Sequence, residues 1–172
     1  MLVMGILNAT PDSFADGGEH FTYPDAADHG LKLIAEGADL IDVGGESTRP
    51  GAERVSAAEE ERRVINVISK LADAGKPISI DTMRASTARA AVIAGASIIN
   101  DVSGGLADAA MLDTAAELNV PYIAMHWRGH SKEMNDLAVY TNVVEEVIAE
   151  LSLRIQAALS AGVSKSNLII DP

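Results

Sequence analysis

The sequence predicts an α/β fold, a barrel of the TIM type in preference to a doubly wound open sheet, and two observations carry that prediction. Six short β-forming apolar runs alternate with five helical patterns, the spacing of parallel strands joined by crossover helices. A polar cluster ends each of the six runs. An open sheet gathers its ligand at the point where strand order reverses and needs chemistry at few strand ends, whereas a barrel draws its site from many of them.

The elements follow in order. Val3 to Leu7 is the first strand, followed by a polar loop from Asn8 to Phe21. Pro24 opens a helix with Ala27, Leu31, Ile34 and Ala35 on one face, and Gly37 stands just past its end. Leu40 to Val43 is the second strand, apolar except for one carboxylate, and Gly44-Gly45 turns the chain into Glu46-Ser47-Thr48-Arg49-Pro50-Gly51. Ser56-Ala57-Ala58-Glu59 is a capping box for a helix striped with Val64, Val67, Ile68 and Leu71. The third strand is Ile78 to Ile80, and a helix from about Arg84 to Ala94 follows. Ser97 to Ile99 is the fourth strand, Asp108 caps the next helix and Asn119 ends it. Val120 to Met125 is the fifth strand. A helix from about Asn142 to Ala161 turns Val144, Val147, Ile148, Leu151 and Ile155 inward, and Leu168 to Ile170 is the sixth strand.

Composition narrows the function. At 172 residues the chain suffices for one domain, residues 1–172, and with 48% hydrophobic but 3% aromatic residues its core must be built from Ala, Ile, Leu and Val. A net charge of −12 argues against nucleic acid or an anionic membrane as partner. The absence of cysteine removes disulfides, thiolate catalysis and zinc–cysteine sites. With no basic leader and no apolar run of membrane length, a cytoplasmic protein is expected.

The strand ends carry Asn8 to Ser13, Glu46 to Arg49, Asp81-Thr82, Asn100-Asp101, His126 and Asp171. Each has an ordinary structural use: Asp81 or Thr82 as a helix cap, Asn100 and Asp101 as turn formers, His126 as a packed histidine. Together, Asp81, Asn100 and Asp171 would supply two carboxylates and an amide. That set matches the N–H donors and the acceptor on the edge of a 2-amino-4-oxo heterocycle, and it rejects ligands that leave it unpaired. Asn8 and nearby carboxylates are hard oxygen ligands that suit Mg²⁺. No Walker loop, zinc-protease motif or nucleophile elbow is present.

Two stretches resemble the signatures of the dihydropteroate synthase family. Ile6 to Phe14 with Asp16-Gly17-Gly18 is similar to the first, and Asp42 to Gly51 to the second. Ser79 to Thr82, Ile99 to Gly105 and Met125-His126 continue the resemblance in order. Ala9 stands where the family usually has Val, a change of packing more than of chemistry.

The resemblance implies a TIM (β/α)8 barrel, present here as an incomplete one of six strands and five helices. The implied substrates are 6-hydroxymethyl-7,8-dihydropterin diphosphate and p-aminobenzoate, and the implied cofactor is Mg²⁺ on Asn8. Asp81, Asn100 and Asp171 take the pterin-binding positions, Asp81 also stabilising developing charge, and Met125 packs on the ring. Thr48 lies toward the diphosphate and aminobenzoate, and Phe14, Arg49 and Pro50 belong to loops that close over the aminobenzoate. A homodimer is implied for the full-length protein. The family's glycine-rich segment, lysine loop and Arg-x-His fall beyond the residues given, so this chain alone is expected to be inactive and prone to self-association. Arg49 and Arg128 stand as the only strand-end cations outside the helix starting at Arg84. Alternatives are a non-catalytic pterin-binding remnant or fragment and a methyltetrahydrofolate-type pterin methyltransferase.

Overall fold

Six parallel strands lie side by side in chain order, β1 (Met4–Asn8), β2 (Leu40–Gly44), β3 (Ile78–Asp81), β4 (Ile98–Asp101), β5 (Tyr122–Met125) and β6 (Leu168–Asp171). This computed structural model describes residues 1–10, 23–47 and 51–172. Between the strands run α1 (Tyr23–Ala35), α2 (Ala57–Ala72), α3 (Ala85–Ile93), α4 (Met111–Leu118), α5 (Met134–Leu137) and α6 (Val143–Ser160). The order never reverses, so there is no switch point and the doubly wound alternative is excluded. The sheet is an arc of a barrel, with β1 and β6 each paired on one side among the described residues.

A two-residue period divides each strand between two faces. Leu7, Ile41, Val43, Ile78, Ile80, Ile99, Tyr122 and Ala124 form one core with the helices. Helix α2 shows how the sequence specifies its place. The Ser56 hydroxyl accepts the Glu59 amide at 3.2 Å, and Val64, Val67, Ile68 and Leu71 are fully buried against the sheet. Burying each of these side chains contributes about 1.5–3 kcal/mol. The capping box is only half formed, because Glu59 turns its carboxylate to Arg62 and Arg63, both at 2.7 Å.

Several expectations are corrected. Among the described residues the helices number six, because residues 134–137 add a single turn within the connection from β5 to α6. One turn has no repeat for a periodic pattern to reveal. The face of α1 is rotated from the expected one: Ala26, Ala27 and Gly30 are buried, whereas Leu31 is 43% exposed. Gly30 permits this, since a Cβ there would stand 2.9 Å from the Leu71 methyls. On α6 only Leu151 of the expected stripe is fully buried, while Val144 and Ile148 are about 60% exposed (62% and 60%). That helix packs chiefly on α4, β5 and β6. Asp108 serves two helices: its Oδ1 accepts the Ala110 amide at the start of α4 at 3.0 Å, and its Oδ2 accepts the Ala85 amide of α3 at 2.8 Å. Asn119 ends α4 as expected, in the left-handed conformation at φ 51°.

Close approach at the end of β2 yields a test. A Cβ on Gly45 would lie 2.8 Å from Val64 Cγ1 and 3.1 Å from the Glu60 carbonyl oxygen on α2. Gly45→Ala is therefore expected to lower stability by about 1–3 kcal/mol, the range for forced overpacking, measured by denaturant unfolding.

Candidate functional site

The face of the sheet turned away from the helices carries the residues between the core positions: Asn8, Asp42, Ser79, Asp81, Asn100, Met125 and Asp171. Register lines them up at the C-terminal ends of the strands. Asn8 pairs with Gly44, Gly44 with Asp81, and Asp81 with Asn100. One step deeper, Asp42 pairs with Ser79. Gly44 leaves the Asp81 carboxyl its space, for a Cβ there would come within 3.2 Å of Asp81 Oδ2. These polar residues lie within their strands or end them, not in loops beyond, so the sheet ladder holds their backbones rigid.

The side chains interact sparingly. Asn100 Nδ2 donates to Asp42 Oδ2 at 3.2 Å. Asp42 Oδ1, Ser79 Oγ and Asn100 Oδ1 are buried with no hydrogen-bond partner among the described residues. Burial raises the pKa of Asp42, offset in part by the Asn100 amide. Asp81 is pushed up to about 8, first by burial and then by the nearby carboxylates of Asp42, Glu60, Asp101 and Glu46. The result is a pocket of acceptors whose charges oppose one another.

Around the rim, the cations are already engaged. Arg84 pairs with Glu60 and, at 2.9 Å, with Glu46. Arg54 meets Glu46 at 3.0 Å, and Arg63 donates to the Gly45 carbonyl at 3.0 Å. Arg54 and Arg63 thus correct the expectation that Arg49 and Arg128 stand alone outside α3. Arg128 is held by Glu146 and Glu150 and lies 3.9 Å above the Tyr140 ring.

The remaining expected residues divide clearly. Asp101 faces the helices, accepting from Ser103, Gly105 and the Tyr122 hydroxyl, and so shapes the loop after β4. His126 is satisfied by Glu150 at 2.7 Å. Met125 and Asp171 are register partners on β5 and β6, and Asp171 is exposed. Three strand intervals of about 4.8 Å each separate β6 from β3, so Asp171 approaches Asp81 only across the curve of the sheet. Thr48, Arg49, Pro50 and Phe14 lie outside the described residues. The sequence reading passed over Asp42 and Ser79 as site residues; a carboxylate inside an apolar run was the available signal. No group of three His, Cys, Asp or Glu side chains among the described residues is arranged to hold a metal. No described helix is long and apolar enough to cross a membrane.

Residues 4–172 match the family described as pterin binding enzyme. The chain is 49% identical over 171 residues to the dihydropteroate synthase of Mycobacterium leprae, covering 99% of this chain and 60% of that one. A structure of Xanthomonas albilineans dihydropteroate synthase with 4-aminobenzoic acid superposes with a TM-score of 0.91 at 51% identity, covering 99% of this chain and 60% of that one. The same organism's enzyme in complex with 7,8-dihydropteroate gives a TM-score of 0.86 at 46% identity, over 99% and 60% of the two chains. The chain thus spans about three fifths of the length of these relatives.

The Asp81 environment has a consequence for stability. Its folded pKa, about 8, lies above the ordinary value of 3.8, so the folded state binds the extra proton between those limits and stability falls as pH rises through them. Asp81→Asn removes the buried charge. It is expected to stabilise the free chain by about 1–2 kcal/mol near pH 8 and to flatten the pH dependence, measured by thermal unfolding from pH 5 to 9.

Proposed function

The chain belongs to the family of pterin-binding enzymes, and from that premise we propose that it forms the pterin site of a dihydropteroate synthase. The reaction joins 6-hydroxymethyl-7,8-dihydropterin diphosphate to p-aminobenzoate, giving 7,8-dihydropteroate and pyrophosphate. The observation that carries this reading is the set of buried acceptors without partners, Asp42 Oδ1 and Asn100 Oδ1, beside Ser79 Oγ. The 2-amino and ring N–H groups of a pterin supply the missing donors, and the Ser79 hydroxyl supplies a donor to a ring acceptor. Asp171, exposed on the same face, completes the edge from the β6 side, and Met125 beside it offers the flat ring an apolar contact.

The site's charge suits the chemistry. Breaking the bond between the pterin methylene carbon and the diphosphate oxygen sends the electron pair out with pyrophosphate and leaves positive charge on the methylene and ring. The carboxylates that raise Asp81 create a field in which such charge is stabilised. The aminobenzoate nitrogen then forms the new carbon–nitrogen bond and gives up a proton. Thr48, Arg49 and Pro50, outside the described residues, are assigned by the family resemblance to the aminobenzoate side of this step, where excluding water would protect the cation.

Magnesium fits this site as an ion carried by the substrate. Asn8, partly buried at the end of β1, would offer such an ion one hard amide oxygen. Bound there, Mg²⁺ would neutralise the leaving diphosphate. The same reading carries a cytoplasmic setting and a homodimer of the complete protein.

Calorimetry with 6-hydroxymethylpterin tests the assignment. Asp42→Asn and Asn100→Ala are each expected to weaken binding by about 1–3 kcal/mol, the cost of a lost or mismatched buried partner. Unchanged affinity in both would refute it. Asn8→Ala is expected to raise the Mg²⁺ concentration needed to bind the pterin diphosphate while leaving the free pterin unaffected. Equal loss of free pterin would make Asn8 a structural residue.

A further inference from the structure

Behind the pocket lies a buried ionic cluster that the pterin reading does not use. Glu60, on the first turn of α2, is 1% exposed although it carries a carboxylate. A charge so buried is tolerated only when its oxygens are fully engaged. One oxygen accepts from the Thr82 hydroxyl at 2.6 Å. The other meets Arg84 Nη1 and the Thr87 hydroxyl, the latter at 3.3 Å. Arg84 continues the chain of contacts outward, donating to Glu46 at 2.9 Å and to the Val55 carbonyl at 2.5 Å. Glu46 in turn accepts the Val55 amide at 3.2 Å and Arg54 at 3.0 Å.

The connections run in two directions. Thr82 follows Asp81 directly, and its backbone amide is already tied to the Asn100 carbonyl at 3.0 Å, so its side chain adds a second anchor beside the pocket. Val55 closes the segment after β2, and both of its backbone polar groups are held by members of the cluster. One carboxylate therefore links the segment carrying Asp81 to Val55 in the connection from β2 to α2.

We propose that Glu60, which touches neither substrate, is a positioning residue for both halves of the site. It holds Asp81 in place through Thr82, and it holds the segment after β2 through Arg84 and Glu46. That the Asp81 segment binds pterin, and that the connection ending at Val55 serves the second substrate, both rest on the proposed function.

The test separates the two arms. Three variants, Glu60→Gln, Thr82→Val and Glu46→Gln, are compared with the parent chain by titration with 6-hydroxymethylpterin and by amide hydrogen exchange at Val55. Thr82→Val is expected to weaken pterin binding about fivefold to tenfold, the effect of one lost hydrogen bond, with Val55 exchange unchanged. Thr82→Ser, which keeps the hydroxyl, restores the affinity. Glu46→Gln is expected to speed Val55 exchange about tenfold with pterin affinity within about twofold of the parent, and Glu60→Gln to move both. A folded Glu60→Gln chain with both readings at the parent values overturns the proposal. So does a Thr82→Val chain in which both change together, the mark of general loosening. If Glu60→Gln does not fold, the other two variants decide by whether their effects separate. If the parent binds no pterin, the pterin reading fails, and Val55 exchange in Glu60→Gln and Glu46→Gln still decides the arm through Arg84.

Discussion

Everything in this protein depends on the two-residue period of its parallel strands. Side chains on a strand alternate between faces, and the helices cover one face only. The apolar member of each pair goes to the helices, and its neighbour is turned to the other side whatever its chemistry. That is why Ile41 and Val43 can be fully buried in the core while Asp42, between them, points into the pocket. A one-residue slip of β2 would put that carboxylate among aliphatic side chains and two aliphatic side chains in the site. The apolar core thus specifies the register, and the register specifies the site.

The electrostatics follow from this placement. Burial first, then Asp42 on the same face and the carboxylates of Glu60, Asp101 and Glu46 behind it, raise the proton affinity of Asp81. An uncompensated cluster of this kind opposes folding, and the usual remedy is a cation inside it. Here the arginines of the rim are engaged by Glu46, Glu60 and the Gly45 carbonyl. The pocket stays negative while the structure around it is neutralised. A site built this way accepts positive charge in its ligand and gives up some stability in the free state.

Legibility in the sequence tracked the strength of the local pattern. The strands, the order of elements and the stripe of α2 were readable because apolar periodicity is strong there, and Asn119 announced the end of α4 through its tolerance of the left-handed conformation. The buried face of α1 was misjudged because Gly30 has no hydrophobic signature, yet its lack of a side chain admits Leu71. On α6, periodicity alone did not say which apolar residues meet a partner. Asp108 was legible at the start of α4, where it accepts the Ala110 amide, but its second oxygen reaches across to Ala85 and sequence proximity does not reveal that. In the site, Asp81, Asn100 and Asp171 stood out because they end strands. Asp42 and Ser79 did not, because they lie within strands and only the burial of their unpartnered atoms marks them.

Glu60 illustrates the limit from another side. In the sequence it is one of three consecutive glutamates, Glu59 to Glu61, at the start of a helix, where acidic residues are favoured by the macrodipole. Nothing distinguishes the three by type. Helical geometry does: successive residues are about 100° apart around the axis. Glu59 therefore meets Arg62 and Arg63 on the outer surface, while Glu60 turns toward Thr82 and Arg84 behind the pocket. The distinction between a surface charge and a buried link in the site is set by rotation about the helix, and that rotation is set by Val64, Val67, Ile68 and Leu71 seeking the sheet. The apolar stripe of α2 thus determines which carboxylate reaches the ends of the strands.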